Sequence, residues 1–230
     1  MPPARDRLVV ALDYPGRSEA LTMAGRLRGS VGMFKIGKQL FTAEGPDLVR
    51  HLTAAGDRAF LDLKFHDIPN TVAGAVESAI RLGVSLVNVH ASGGPAMLKA
   101  AAQAARGSAT RVLAVTVLTS LAPADLQAVG FAEPPDRLVV RLARLALDAG
   151  LDGVVAAPTE VALLRSELGR DFVILTPGIR LPGSDTQDQV RVATPRQAIQ
   201  DGADYIVVGR PITQAPDPAA AAREILRMLE

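Results

Sequence analysis

No cysteine occurs among the 230 residues, which excludes disulfides, thiolate-bound metals and a cysteine nucleophile together, while identifying no compartment. Net charge is nearly absent as well. Lys and Arg total 25 against 24 Asp and Glu, a balance of +1, so no bulk field draws nucleic acid or an anionic membrane, and any phosphate must be held by local groups. No uninterrupted apolar run is long enough to span a bilayer. At the N-terminus, MPPARDRLVVALDYP has basic residues, but its apolar stretch is short and is cut by Asp13, so it reads as a first strand rather than a signal segment. Two nucleotide-binding fingerprints are missing. YPGRSEA follows the first strand where a dinucleotide fold would carry a glycine-rich turn, and no GxxxxGK loop occurs anywhere. A cytoplasmic protein with neither nucleic-acid nor membrane partner is the default expectation. With 48% hydrophobic residues the chain can bury one large core, and a single domain over residues 1–230 is expected.

What is present is a regular alternation. Short β-rich apolar runs recur as LVVALD (8–13), MFKIG (33–37), AFLDLK (59–64), LVNVH (86–90), RVLAVT (111–116), GVVAA (153–157), FVILT (172–176) and YIVVG (205–209). Between them lie stretches such as EALTMAGRLR, AGAVESAIRL and RLVVRLARLALDAG, with apolar residues at helical spacing. Gly56, Gly83, Gly150 and Gly202 sit just before strands, where a helix must end in a left-handed residue. Continuous apolar strands alternating with helices argue for a parallel sheet covered on its outer face. Eight such units predict a closed α/β barrel, the (β/α)₈ or TIM fold, ahead of an open doubly wound sheet.

Chemistry in such a barrel sits at the C-terminal strand ends. Asp13 ends the first run, Lys35 lies in the second, Asp62 and Lys64 end the third, His90 ends the fourth, and Gly209 and Arg210 end the eighth. Two post-strand connections, TVLTSLAPADLQAVGFAEPPD and PGIRLPGSDTQDQVR, are long enough to close over a ligand. In DLKFHDIPNT, a period of two sends Asp62 and Lys64 to one face and Leu63 to the other. The pair reads either as a structural ion pair at a barrel end or, with Lys35 near, as a mutually compensating array at a functional site. Pro69 disfavours helix at Ile68, so the chain is expected to stay irregular until Asn70 or Thr71, leaving Asp67 free to point elsewhere, even across an interface.

VVGRPIT suits a phosphate: Gly209 permits close backbone approach and Arg210 offers a fork of donors, although a plain strand-to-helix turn has the same pattern. His66 beside Asp62 and Asp67 lacks a convincing metal shell, and His90 reads as a hydrogen-bonded residue of the barrel mouth. In the last helix, AAAREILRMLE, Ile225, Leu226 and Leu229 face inward.

Taken together, DLKFHDIPNT, ALD, FKIG, TVLTS, TPGIR and VVGRPIT resemble the orotidine 5′-monophosphate decarboxylase family in its bacterial form, from about residue 8 to 215, with no departure at the motif positions. A bare DxKxxD is shared with relatives that act on sugar phosphates, whereas DIPNT and GRPIT are more specific. The resemblance implies that Lys64 delivers a proton to C6 of the pyrimidine and that Lys35, Asp62 and Asp67 complete an alternating charged network. It implies ribose contacts from Asp13 and Lys35, contacts to the pyrimidine region from Thr119 and Ser120, and Ile68 and Pro177 among the substrate-binding residues. It implies that Arg180 and Gln189 close onto the phosphate side, with Gln189 reaching the base; taken alone, either would be a solvated loop residue. It further implies a homodimer in which Asp67 and Thr71 complete the neighbouring site, a small-molecule substrate, and neither cofactor nor metal. A Mg²⁺-dependent sugar-phosphate decarboxylase or synthase of the same suprafamily, and a barrel that binds a nucleotide without turning it over, are the alternative readings.

Overall fold

A computed structural model describes residues 3–180 and 193–229. Eight parallel strands, β1 (Leu8–Ala11), β2 (Met33–Gly37), β3 (Ala59–Phe65), β4 (Leu86–His90), β5 (Arg111–Val115), β6 (Gly153–Val155), β7 (Val173–Thr176) and β8 (Tyr205–Val208), pair in sequence order and close into a barrel. Closure is made by β8 returning to β1, with Leu8, Val9 and Val10 opposite Ile206, Val207 and Val208. Each apolar run read from the sequence contains one of these strands except the third, where β3 reaches one residue further, to Phe65. Several runs extend past the assigned strand, and Asp13 and Gly209 there line the mouth.

Strand alternation divides the core in two. Val9, Ala11, Met33, Phe60, Leu86, Leu113, Val115, Val155, Leu175 and Val207 form one cluster inside the barrel. Val10, Phe34, Ile36, Leu61, Val87, Ala114, Val154, Ile174 and Ile206 belong to the larger cluster that packs against the helices. The inner residues make the floor on which the next inward positions stand: Ala11 leads to Asp13, Met33 to Lys35, Phe60 to Asp62, Leu86 to Asn88, and Val207 to Gly209. The polar site is therefore the upward continuation of an apolar stack.

Helices Arg17–Leu27, Pro69–Arg81 and Pro135–Asp148 carry the three amphipathic stretches noted above, and in Pro218–Leu229 the residues Ile225 and Leu229 are buried while Leu226 is partly so. Gly56, Gly83, Gly150 and Gly202 all have positive φ, between 73° and 109°, the conformation that a side chain would strain. One boundary differs from expectation. The helix after β3 starts at Pro69 itself, with Ile68 extended at φ −59° and ψ 154°, because proline is pre-organised for a first helical position where no N–H is needed. The connection after β5 also gains a short helix, Pro123–Ala128, before which Asp125 accepts the Ala122 N–H at 2.8 Å.

The end of the barrel away from the mouth is tied by Arg165. Its guanidinium donates to the carbonyls of Gly202 at 3.0 Å and Phe172 at 2.9 Å, pairs with Asp204 at 2.8 Å, and lies 4.6 Å from the centre of the Phe172 ring. Asp204 in turn accepts the Ile174 N–H at 2.7 Å, so one ion pair links the entries of β7 and β8. Among the described residues, no helix is long and apolar enough to cross a membrane.

Candidate active site

A cavity of about 630 Å³ opens at the C-terminal strand ends and is lined from every strand but β4, by Asp13, Lys35, Asp62, Lys64, Thr119 and Arg210 among others. At its base a charged chain runs across three strands. Lys35 Nζ lies 2.9 Å from Asp13 Oδ1 and 3.5 Å from Asp62 Oδ2, and Lys64 Nζ lies 2.5 Å from Asp62 Oδ1. The order Asp13, Lys35, Asp62, Lys64 alternates in sign, which is how charges survive where the Lys35 side chain is only 11% exposed and that of Asp62 13%.

Burial alone would push the Asp62 carboxyl up. The charges of Lys35 and Lys64, with hydrogen bonds from Lys64 and Asn88, outweigh it and hold Asp62 below the ordinary carboxylate range. Asp62 is thus an anion at neutral pH, and its oxygens are occupied by two ammonium groups.

The backbone beneath this array is irregular. Leu61 pairs with Val87 and Phe65 with Val89, so four steps on β3 span two on β4. Lys64, at φ +53°, has the only positive φ of a non-glycine among the described residues. Asp62 and Lys64 share a face as the spacing of two predicts, but the second half of that segment reaches it through a bulge rather than through regular pleating.

Residues 6–225 match the family model described as Orotidine 5′-phosphate decarboxylase / HUMPS family. The chain belongs to that family. It is similar to the orotidine 5′-phosphate decarboxylases of Moorella thermoacetica, at 52% identity over 99% of this chain and 93% of that one, and of Nitrosomonas europaea, at 53% over 94% of each. Among solved structures, the orotidine 5′-phosphate decarboxylase of Lactobacillus acidophilus superposes with a TM-score of 0.87 at 37% identity, covering 97% of this chain and 98% of that one.

Within this family fold, most residues singled out from sequence meet at one place. Asp13, Lys35, Asp62, Lys64, Thr119, Pro177, Arg180, Gly209 and Arg210 all line the cavity. Arg180 also donates to the Ile179 carbonyl at 3.0 Å, at the root of the strand-seven connection, where Ile179 bridges to Ala193. Asp67, Ile68, Thr71 and Ser120 are exposed and do not line the cavity of this chain. Asp67 instead accepts the Ile68 N–H at 2.6 Å. Gln189 lies outside the described residues.

Sequence reasoning missed Tyr14, Gln39, Thr213 and Gln214, which complete the lining. Tyr14 donates a long hydrogen bond, 3.4 Å, to the Thr213 carbonyl and so joins the first and last strand loops. It also missed Asn88, whose signal was a lone amide in the middle of the apolar LVNVH run. His66 and His90 lie beside the array with their rings tilted at 42° and ring centres 5.5 Å apart. Burial, followed by the charges of His66, Lys64 and Lys38, depresses the His90 imidazole to about 4 against the opposing pull of Asp62, so at neutral pH it adds no charge.

Proposed function

We propose that this chain converts orotidine 5′-monophosphate to uridine 5′-monophosphate and carbon dioxide, a step of pyrimidine nucleotide synthesis, with Lys64 as the proton donor. The observation that carries this reading is the Lys64 ammonium held 2.5 Å from Asp62 at the base of a cavity that also holds Lys35, Arg180 and Arg210.

Breaking the bond from C6 to the carboxylate leaves its electron pair on C6, in the plane of the ring, where π delocalisation does not reach. The stabilisation must be electrostatic: a fixed ammonium where negative charge develops, in a site that excludes water. Lys64 then gives one N–H proton to C6, carbon dioxide departs, and the resulting amine recovers its proton from solvent. Asp62, anionic and beside the departing carboxylate, raises the ground state, while Lys35 holds Asp62 in place and faces the ribose together with Asp13. Gly209 and Arg210, with Arg180, receive the phosphate; Thr119 and Pro177 border the pyrimidine. Phosphate binding energy holds the pyrimidine against this already ordered array, so that it lowers the barrier as well as tightening binding.

The proposed working form is a homodimer in which Asp67 and Thr71 of each subunit complete the other's site, with Ile68 and Ser120 at the same border. Its support is that Asp67, Ile68 and Thr71 stand exposed beside the mouth, Ile68 at 67%, outside their own chain's cavity. The reaction is placed in the cytoplasm, since a nucleotide monophosphate is an anion that bilayers retain.

A divalent cation on Asp62 would face both Lys35 and Lys64, which supports a metal-free route over the Mg²⁺-dependent relatives. The test is the fall of orotidylate absorbance with EDTA present. Full turnover supports the proposal, and a rate that needs added Mg²⁺ or is absent overturns it.

A further inference from the structure

We propose that Asn88 is a positioning residue that sets both members of the Asp62–Lys64 pair through one side-chain amide. Asn88 is fully buried in the middle of β4 and does not line the cavity, so it acts only through its neighbours. Its Oδ1 accepts the backbone N–H of Lys64 at 2.8 Å, and its Nδ2 donates to Asp62 Oδ1 at 2.7 Å. The orientation of the amide follows from these partners, since a backbone N–H can only donate and a carboxylate can only accept.

The two bonds answer two separate needs. At the bulge the β3 backbone departs from its ladder with β4, and Lys64 takes the left-handed conformation at φ +53°, which disfavours any residue with a Cβ. The Asn88 oxygen supplies the acceptor that the Lys64 N–H would otherwise lack inside the barrel. The Asn88 amide N–H meanwhile fixes the same Asp62 oxygen that receives the Lys64 ammonium. No other side chain of similar size meets both needs: leucine offers neither group, and aspartate keeps the acceptor but sets a second carboxylate against Asp62.

This inference rests on the reading of Lys64 as proton donor, and its test is built so that the two fail separately. Asn88→Ala and Asn88→Asp are compared with the parent for kcat and KM on orotidylate from about pH 6 to 8, and the Asp62 carboxyl is titrated by carbon NMR in ligand-free protein. In Asn88→Ala, kcat is expected to fall roughly 30-fold with KM within about threefold, and Asp62 to titrate at higher pH than in the parent. In Asn88→Asp, activity relative to the parent is expected to rise as pH falls, because the protonated side chain again donates to Asp62. A kcat within about twofold of the parent in both variants overturns the proposal. So does a loss that is equal at every pH and leaves the Asp62 titration unmoved, the pattern of a merely structural role. If Asn88→Ala does not fold, the isosteric Asn88→Asp pH profile decides. A parent inactive on orotidylate defeats the functional reading, and the Asp62 titration still judges Asn88.

Discussion

Lys64 folds back on Asp62, its Nζ lying 2.5 Å from Oδ1 of a residue two positions earlier on the same strand. Regular pleating would space their Cα atoms by roughly 7 Å and leave both side chains free to choose other partners. Here the left-handed turn at Lys64 and the second ammonium of Lys35 on the far Asp62 oxygen commit the carboxylate to both lysines. The ammonium is therefore ordered before any substrate arrives, and little reorganisation is left for the reaction itself.

Lys64→Ala is expected to lower kcat/KM on orotidylate by roughly 10⁴-fold or more, as general acid and fixed charge are lost together. Circular dichroism should show the barrel unchanged. Near-normal turnover would remove Lys64 from the role.

Arg210→Ala should cost roughly 10- to 150-fold in kcat/KM, corresponding to about 1.5 to 3 kcal/mol for charge-assisted contacts to phosphate. On the nucleoside without phosphate, variant and parent should be equal. A difference that persists on the nucleoside would place Arg210 elsewhere in the site.

A methyl group at Gly37 would stand 3.0 Å from Lys35 Nζ and 3.2 Å from Asp13 Oδ1. Both groups must shift by a few tenths of an ångström, so Gly37→Ala should reduce kcat/KM about tenfold through misalignment. Its φ of −89° suits alanine, so the melting temperature should hold. A variant that melts early but turns over normally contradicts this.

If Asp67 serves the neighbouring site, Lys64→Ala and Asp67→Ala are each inactive alone, yet mixing them restores activity. In an isologous dimer a random exchange leaves about a quarter of all sites intact. Subunit exchange without recovery would locate both residues in one chain's site.

The depressed His90 pKa predicts a stability effect of definite sign. Unfolded, the imidazole titrates near 6.5; folded, it titrates at about 4, so between these values the unfolded chain binds the extra proton. The contribution is complete above the upper value and is lost as pH falls toward the lower. Denaturant titrations should show a shallower decline over that window in His90→Gln, and an identical slope would refute the assignment.

The barrel was legible because its signal is periodic and local: eight apolar runs, each followed by a helix-spaced stretch, with a polar residue at the end of several strands. Asp13, Lys35, Asp62 and Arg210 could be placed at one mouth because in a parallel barrel all strand ends face the same way. The bulge at Lys64 and the partners of Asn88 were not legible, since both depend on register between β3 and β4; a lone amide in LVNVH marked the position but not what it holds. The start of the next helix was misplaced for a different reason: Ile68 is non-helical as a residue preceding proline should be, but proline itself suits the first helical position.

Arg165 and Asp204 stand at the end of the barrel opposite the lysines. Neither lines the cavity, so loss of that tie is expected to lower the temperature at which the barrel opens while leaving turnover below it unchanged.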